Sequence, residues 1–318
     1  MIKFYVQDNS KIGIFDLEEI IENPPLKEKI IWVDMISPTI SEIRYITTNY
    51  QVEFPTKQET EEIEISSRYW EEDDNITINS YFLINEKDNP YNETVSFILT
   101  DEFLITIRYK ELRTFDECTK KILSTPRAFK DGYYVFSNIL DIRIDADADI
   151  LEFLSREITR LRKQVFSDYS NDDEEILESI SLYEDLNMKV RENLMDKQRI
   201  LSSFLRSDKI SLNLKEEVKI MLKDIISLVD YTEFNFERLD YLQNVFVGLL
   251  SIEQNKVIKI FTVVSVIFLP PTLIASLYGM NFQFMPELNW KFGYPFAVAL
   301  MIISSILPIY IFKRKGWL

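Results

Sequence analysis

Two uncharged runs near the C-terminal end set the strongest limit on what this chain of 318 residues can fold into. From Ile260 to Leu277 no residue is charged and most are aliphatic or aromatic, and a second such run extends from Phe292 to Phe312. Each approaches the roughly 20 residues that a helix needs to cross a bilayer. A pair of buried core helices would have the same composition. Two runs separated by only fourteen residues read better as an antiparallel membrane hairpin.

Flanking charge orients that hairpin. Lys256 and Lys259 precede the first run and Lys313, Arg314 and Lys315 follow the second, whereas the loop between them holds only Glu287 and Lys291. Basic residues collect on the cytoplasmic side of a membrane helix, so both termini are expected inside the cell and the loop outside. Tyr278, Phe282, Trp290 and Tyr294 suit an interfacial aromatic belt. The start, Met1–Gly13, mixes charges into a short apolar run and lacks the apolar core of a signal peptide. Insertion into the inner (plasma) membrane is therefore expected to depend on the distal runs. The organisation expected is a cytoplasmic α/β domain over residues 1–130 and long cytoplasmic helices over 131–255. A first span over 256–279, an external loop over 280–291, a second span over 292–312 and a basic tail over 313–318 complete it.

With 46% apolar residues the remainder can bury a substantial core. The formal charge is −16, and the six basic and one acidic residues from Lys256 onward leave −21 for residues 1–255. A domain this acidic repels nucleic acid and concentrates cations, which makes divalent cations the natural partners and nucleic acid an excluded one. Cys118 is the single cysteine and histidine is absent. That removes a disulfide framework and the usual zinc ligand sets, leaving hard oxygen donors. No Gly-x-x-x-x-Gly-Lys-Ser/Thr segment and no nucleophile with its base can be named, so neither an organic cofactor nor catalysis is expected.

Short β-rich runs lie at Ile2–Val6, Ile30–Asp34, Ile76–Ile84, Val95–Thr100 and Leu104–Tyr109, the last two forming a hairpin turned at Asp101-Glu102. Apolar spacings of three and four then predict helices through Ile139–Phe166, Ile176–Phe204 and Leu214–Leu250. No obvious stop precedes Asn255, so the third helix is expected to run into the first span, roughly 90 Å in all. Asp141, Asp145, Asp149 and Glu152 share one helical face, and Asp172 to Glu175 lie at a helix junction. Such stripes are commonly solvated faces. Alternatively, some of these carboxylates meet across subunit contacts and hold a divalent ion.

Within the first span, Asn255, Ile258, Thr262, Ser265, Leu269, Thr272, Ser276 and Gly279 recur at alternating spacings of three and four, which places them on one helix face. The pattern serves either close helix packing through small residues or a pore, in which polar rings carry ions and apolar rings gate by dewetting. Pro270-Pro271 should disturb the bonding locally. Gly279 is expected to end the helix in the left-handed conformation and leave Asn281 at the outer opening. A ring of neutral amide oxygens there would accept hydrogen bonds from the first-shell waters of Mg²⁺ without stripping them. Glu287 could concentrate cations at the entrance.

Gly279-Met280-Asn281 resembles the signature of the CorA magnesium transporters, which stands at the end of the first of two C-terminal membrane helices. The likeness extends through Ile252 to Asn255, Phe268 to Thr272, Tyr278 to Phe282, Met285 to Leu288 and Phe312 to Leu318, and looks closest to the proteobacterial branch. Trp32-Val33-Asp34 with Pro38, and Glu64 with Ser66-Ser67-Arg68, are similar to weaker amino-terminal motifs. The resemblance implies a funnel-shaped homopentamer with an α+β cytoplasmic domain, long helices and two C-terminal transmembrane helices. It also implies a selectivity filter at Gly279, Met280 and Asn281, and Asn255 as a polar ring at the inner end. Phe261 joins Ile258 and Leu269 among the pore-lining apolar positions. Lys256, Lys259, Lys313, Arg314 and Lys315 match a cationic collar. Asp145, Asp149 and Asp224 are assigned as regulatory metal ligands from charge and helix position alone. Uptake of hydrated Mg²⁺ down its gradient follows, with Co²⁺ and Ni²⁺ left open. The rivals are a zinc or proton-coupled relative and a membrane-anchored cation sensor.

Overall fold

The computed structural model describes residues 1–8, 11–56, 68–86, 89–167, 173–281, 283, 285 and 286–316. Glu64, Ser66, Ser67, Asp172, Phe282 and the last two residues lie outside that set. The chain divides into two compact units, Met1–Gln243 and Asn244–Leu318.

The first unit is built on a sheet of seven strands: β1 Ile2–Asp8, β2 Lys11–Asp16, β3 Ile30–Ile36, β4 Tyr69–Glu71, β5 Asn75–Glu86, β6 Asn89–Thr100 and β7 Leu104–Arg108. Their order across the sheet is β2-β1-β3-β7-β6-β5-β4. Among the described residues only β3 and β7 pair in parallel. Helices α1 Leu17–Glu22 and α2 Ile40–Tyr50 contribute Ile20 and Ile46 to a core on one face, with Phe4, Val33, Ile98 and Ile105. The opposite face carries Trp32, Phe82, Phe97 and Leu104 against α3 Arg113–Ser124, α4 Gly132–Ser167, α5 Asp173–Phe204 and the start of α6 Leu212–Tyr278. Both faces of the sheet are covered here, so β3 and β7 are buried along nearly their whole length and enclose Asp34, Thr106 and Arg108 together with their apolar residues.

Two strands have no such signature. In β2 only Ile12 is well buried, and β4 is three residues long. The polar first half of β6 is a strand because it pairs in register with β5 out to Glu86 opposite Asn89. Helix α4 begins seven residues before the expected Ile139 because Asp131 caps it, accepting from the N–H groups of Tyr133 at 2.9 Å and Tyr134 at 3.2 Å. Its first residue must be glycine: a Cβ at Gly132 would lie 2.4 Å from the backbone nitrogen of Leu104.

A buried ion pair locks the parallel pair of strands. The Asp34 Oδ2 accepts from Arg108 Nη2 at 2.8 Å, and its Oδ1 accepts from Thr106 Oγ1 at 2.8 Å and Arg108 Nε at 3.2 Å. Trp32 Nε1 donates to Thr106 Oγ1 at 3.0 Å, and the Arg108 guanidinium lies 4.4 Å from the centroid of the Phe115 ring. A second buried polar group completes β5 where β4 stops, beyond the pairing of Tyr69 with Ile78. The free backbone groups of Tyr81 then meet α5: its N–H donates to Asp196 at 2.9 Å and its carbonyl accepts from Lys197 Nζ at 2.6 Å. Burial pushes Lys197 down to about 8.

Farther along, α4, α5 and α6 are tied by polar bridges. Arg238 donates to Ser155 Oγ and Thr159 Oγ1, both at 2.8 Å, Tyr183 donates to Glu157 at 3.2 Å and Asn187 to the carbonyl of Thr232 at 2.9 Å. In the second unit α6 continues without interruption through Pro270-Pro271 to Tyr278, a 3₁₀ turn covers Pro286–Asn289, and α7 spans Gly293–Arg314.

Removing one partner of a buried ion pair strands the other charge, at about 3–5 kcal/mol. Arg108→Met should therefore lower the unfolding midpoint of the protein sharply, and combining it with Asp34→Leu should recover part of the loss. Thermal melts of both singles and the double test this; an additive double would show that the pair is not coupled.

Candidate ion pathway

Helix α6 presents two different faces in the second unit. Every stripe residue is exposed: Asn255, Ile258, Thr262, Ser265, Leu269, Thr272, Ser276 and Gly279, as are Phe261 and Asn281. Ile258 is 55% exposed, Phe261 69% and Leu269 65%, values that a core helix would not show. The partly shielded residues are Val263, Val266, Ile267, Pro270, Pro271, Ile274 and Tyr278. At 100° per residue these fall on the side opposite the stripe. Helix α7 likewise shields one row, through Gly293, Ala297, Met301, Ser304 and Pro308. At one end the two rows border a shared groove of about 430 Å³, lined by Ala275, Tyr278, Glu287, Trp290 and Ala297 among others. From Asn255 to Ser276 the stripe thus faces away from the chain's own second apolar helix, and only its last residue, Gly279, borders the groove.

The hydroxyls of that stripe are anchored to their own helix. Thr262 Oγ1 donates to the carbonyl of Ile258 at 2.8 Å, and Thr272 Oγ1 to that of Phe268 at 2.7 Å. Lacking N–H groups, Pro270 and Pro271 free the carbonyls four residues back, those of Val266 and Ile267. Thr272, bonded to the Phe268 carbonyl, does not reach them. Both freed carbonyls belong to residues on the shielded side.

One expectation is corrected. Gly279 does not adopt the left-handed conformation; the positive-φ residues among those described are Ser37, Gln51 and Gly316. The helix closes instead with Gly279 N–H donating to Ala275 O at 2.9 Å and Met280 N–H to Leu277 O at 3.4 Å. Glycine still matters sterically, since a Cβ there would stand 3.1 Å from the Ala275 oxygen. Asn281 follows as an exposed residue just beyond this end, and Met280 is 48% exposed. Glu287 lies in the 3₁₀ turn, and a Cβ on Gly293 would come 2.2 Å from the Glu287 carbonyl, so the turn requires glycine there. Lys256, Lys259, Lys313, Arg314 and Lys315 are exposed. Lys313 and Arg314 occupy the last turn of α7, where cations complement the helix dipole.

In the first unit, Asp145, Asp149 and Asp224 are exposed. Partial burial and then repulsion by Asp141, Asp149 and Asp224 hold the Asp145 carboxyl above its ordinary range. The structure therefore brings Asp224 of α6 within electrostatic reach of the α4 stripe. Among the described residues, however, no three acidic, cysteine or histidine side chains converge as metal ligands in one chain. The buried charges around Tyr81, namely Arg68, Arg143, Asp147, Asp196 and Lys197, went unread in the sequence, because helical spacing alone does not separate a buried charge from a solvated one.

The fold and this exposed polar stripe define an α/β domain with long helices that ends in two C-terminal transmembrane helices. The family described as "CorA-like Mg2+ transporter protein" matches residues 27–314. A "Magnesium transport protein CorA" of Wolinella succinogenes is 46% identical over 303 residues, covering 94% of both chains. Another of that name, from Escherichia coli strain K12, is 35% identical over 320 residues and covers both chains completely. The solved CorA magnesium transporter of Methanocaldococcus jannaschii has the same fold, with a TM-score of 0.82 at 22% identity over 100% of this chain and 99% of that one. The chain belongs to the CorA-like Mg²⁺ transporter family.

The Asp145 shift has a defined sign. A carboxyl with a raised folded pKa stabilises while protonated, and that contribution is lost as pH rises through the folded value. Asp145→Asn should thus raise the unfolding midpoint at pH 7, by less than about 1 kcal/mol because the group is exposed and screened. Below the ordinary carboxylate range the gain should vanish. Melts at both pH values check this; equal gains at both would exclude charge repulsion.

Proposed function

We propose that the chain is a subunit of a channel that passes hydrated Mg²⁺ into the cell, both termini lying in the cytoplasm. The observation that carries this reading is the exposed face of α6, where Asn255, Thr262, Ser265, Thr272 and Ser276 alternate with Ile258 and Leu269 and lead to Asn281. A helix that served only as an anchor would need neither hydroxyls nor amides on one continuous face. Several copies, five by family resemblance, would turn each of these positions into a ring around one axis.

At the outer end, the rings of Gly279, Met280 and Asn281 act as the filter, and Glu287 raises the local cation concentration. Mg²⁺ gives up its octahedral water shell reluctantly, so amide oxygens that accept from the bound waters select the hydrated ion at low cost. Further in, Ile258, Phe261 and Leu269 form apolar rings that close the path by dewetting. Lys256, Lys259, Lys313, Arg314 and Lys315 form a cationic collar at the inner mouth. Moving two charges inward across about 100 mV releases roughly 4.6 kcal/mol, which drives uptake without fuel.

Regulation is assigned to cytoplasmic Mg²⁺. Asp149 and Asp224 repel Asp145, and a cation shared between subunits would relieve that repulsion and hold the helices in the closed arrangement. When internal Mg²⁺ falls, those sites empty, the long helices loosen and the apolar rings rehydrate. Co²⁺ and Ni²⁺, hydrated divalent ions of comparable size, pass by the same route.

Flux into liposomes tests the reading. Purified protein should take up Mg²⁺ when the interior is negative, and an inert hexammine complex of hydrated-ion size should block it. Each hydrogen bond to a bound water contributes about 1 kcal/mol. Since a ring loses several at once, Asn281→Ala should cut flux about tenfold or more. Absence of flux would end the channel proposal, and undiminished flux in the variant would remove the asparagine ring from it. Zinc uptake, or flux that follows a proton gradient, would favour the transporter rival.

A further inference from the structure

We propose that the seam between α5 and α6 at Asn187 and Asn235 is a built-in weak point, polar and mismatched while the helices are packed and relieved when α5 parts from α6. Both residues stand in rows of largely apolar character, beside Leu186, Val190 and Leu194 on α5 and Ile225, Leu239 and Leu242 on α6. Asn187, Thr232 and Asn235 are themselves fully buried. The Asn187 Nδ2 donates to the Thr232 carbonyl at 2.9 Å, and Asn235 follows three residues later on the same face of α6.

The other polar atoms of this pair have no such bond. The Asn187 Oδ1 and both the Oδ1 and the Nδ2 of Asn235 are without a partner among the described residues, and all three are closed to solvent. The neighbouring hydroxyl does not relieve them, because Thr232 Oγ1 donates to the carbonyl of Val229 in its own helix at 2.7 Å. An amide in this position gives up its hydrogen bonds to water on burial and regains none from the protein. In an opened seam water reaches the same atoms. Packing therefore carries a cost here that separation of the two helices removes.

The contacts on either side are graded. One turn farther along α5, Arg191 pairs with Glu233 across the seam. One turn back, partial burial and then repulsion by Asp240 hold the Glu184 carboxyl above its ordinary range. The sheet anchors α5 from Lys189 onward: the Lys189 carbonyl accepts from Asn92 Nδ2 at 3.2 Å, and Asp196 and Lys197 hold the backbone of Tyr81. Asn187 thus lies just short of the anchored half, where attraction gives way to unpartnered amides and then to like charges. Parting of α5 from α6 starts at the Glu184 end. Its use in gating rests on the channel reading, in which it is the loosening that follows a fall in internal Mg²⁺.

Amide hydrogen exchange on the full-length protein in detergent tests the seam, with two variants that delete the same polar atoms. Asn235→Ala removes them outright, and Asn235→Leu keeps the branched shape. Exchange over residues 180–190 and 230–240 should slow by about tenfold, whereas Leu239→Ala, which removes an apolar neighbour from the same row, should speed it. Protection gained in either Asn235 variant upholds the weak seam, since a cavity or overpacking can mask it in one of the two. Parent-like or faster exchange in both overturns it. Flux into liposomes then tests the use in gating: the internal Mg²⁺ that halves uptake should fall about fivefold in the protected variant. An unchanged value beside slowed exchange would remove the seam from gating. A parent that carries no flux would end the channel reading and leave exchange to decide on the seam alone.

Discussion

Helix α6 has to satisfy two solvents with one backbone, and most of the structure follows from how it does so. Inside a bilayer no water is available for a peptide group, so a spanning segment must close its own hydrogen bonds. From Leu212 to Tyr278 the helix is continuous, and the two groups it leaves open, the carbonyls of Val266 and Ile267, belong to residues on the side shielded within the second unit. The threonines of the opposite face spend their hydroxyl protons on their own backbone. Their oxygens keep acceptor capacity on the exposed face. Acceptors on that face are what the proposed passage of an ion with its water shell would use.

The same helix explains why the sequence was easy to read at one end and hard at the other. Membrane spans announce themselves through absence of charge, and the stripe from Asn255 to Gly279 is legible because polar residues are rare enough in a span for their spacing to carry meaning. In the first unit, β3 and β7 were readable because burial on both faces fills them with apolar and β-branched residues, although each also buries one member of the Asp34–Arg108 pair. Strands β2 and β4 were not, since an edge strand is held by its neighbour's backbone and needs little of its own side chains. The early start of α4 depends on Asp131 as a cap and on the close approach of Gly132 to Phe103 and Leu104, a tertiary contact between residues distant in sequence. Gly279 was misread for a related reason: glycine at a helix end permits the left-handed conformation without requiring it, and here a Cβ would crowd the Ala275 carbonyl at 3.1 Å.

Charge patterns divide along similar lines. Asp141, Asp145 and Asp149 recur four apart and stay at the surface, while Arg143 and Asp147, also four apart on the same helix, are buried and paired. Spacing cannot separate the two sets, because a turn of helix brings both pairs equally close. What separates them is the sheet: Arg143 reaches the carbonyl of Leu83 at 3.3 Å, next to the Tyr81 groups that Asp196 and Lys197 complete. Strand β5 outruns β4, and its unpaired backbone is covered by charged side chains from two helices in place of another strand. Each such group must be satisfied once it is buried. Two atoms of this network, Arg68 Nη2 and Asp147 Oδ2, have no partner among the described residues. The acidic stripe and the buried network therefore differ in kind: in the one, carboxylates repel across an exposed face, whereas in the other Asp147 and Asp196 each stand beside an arginine.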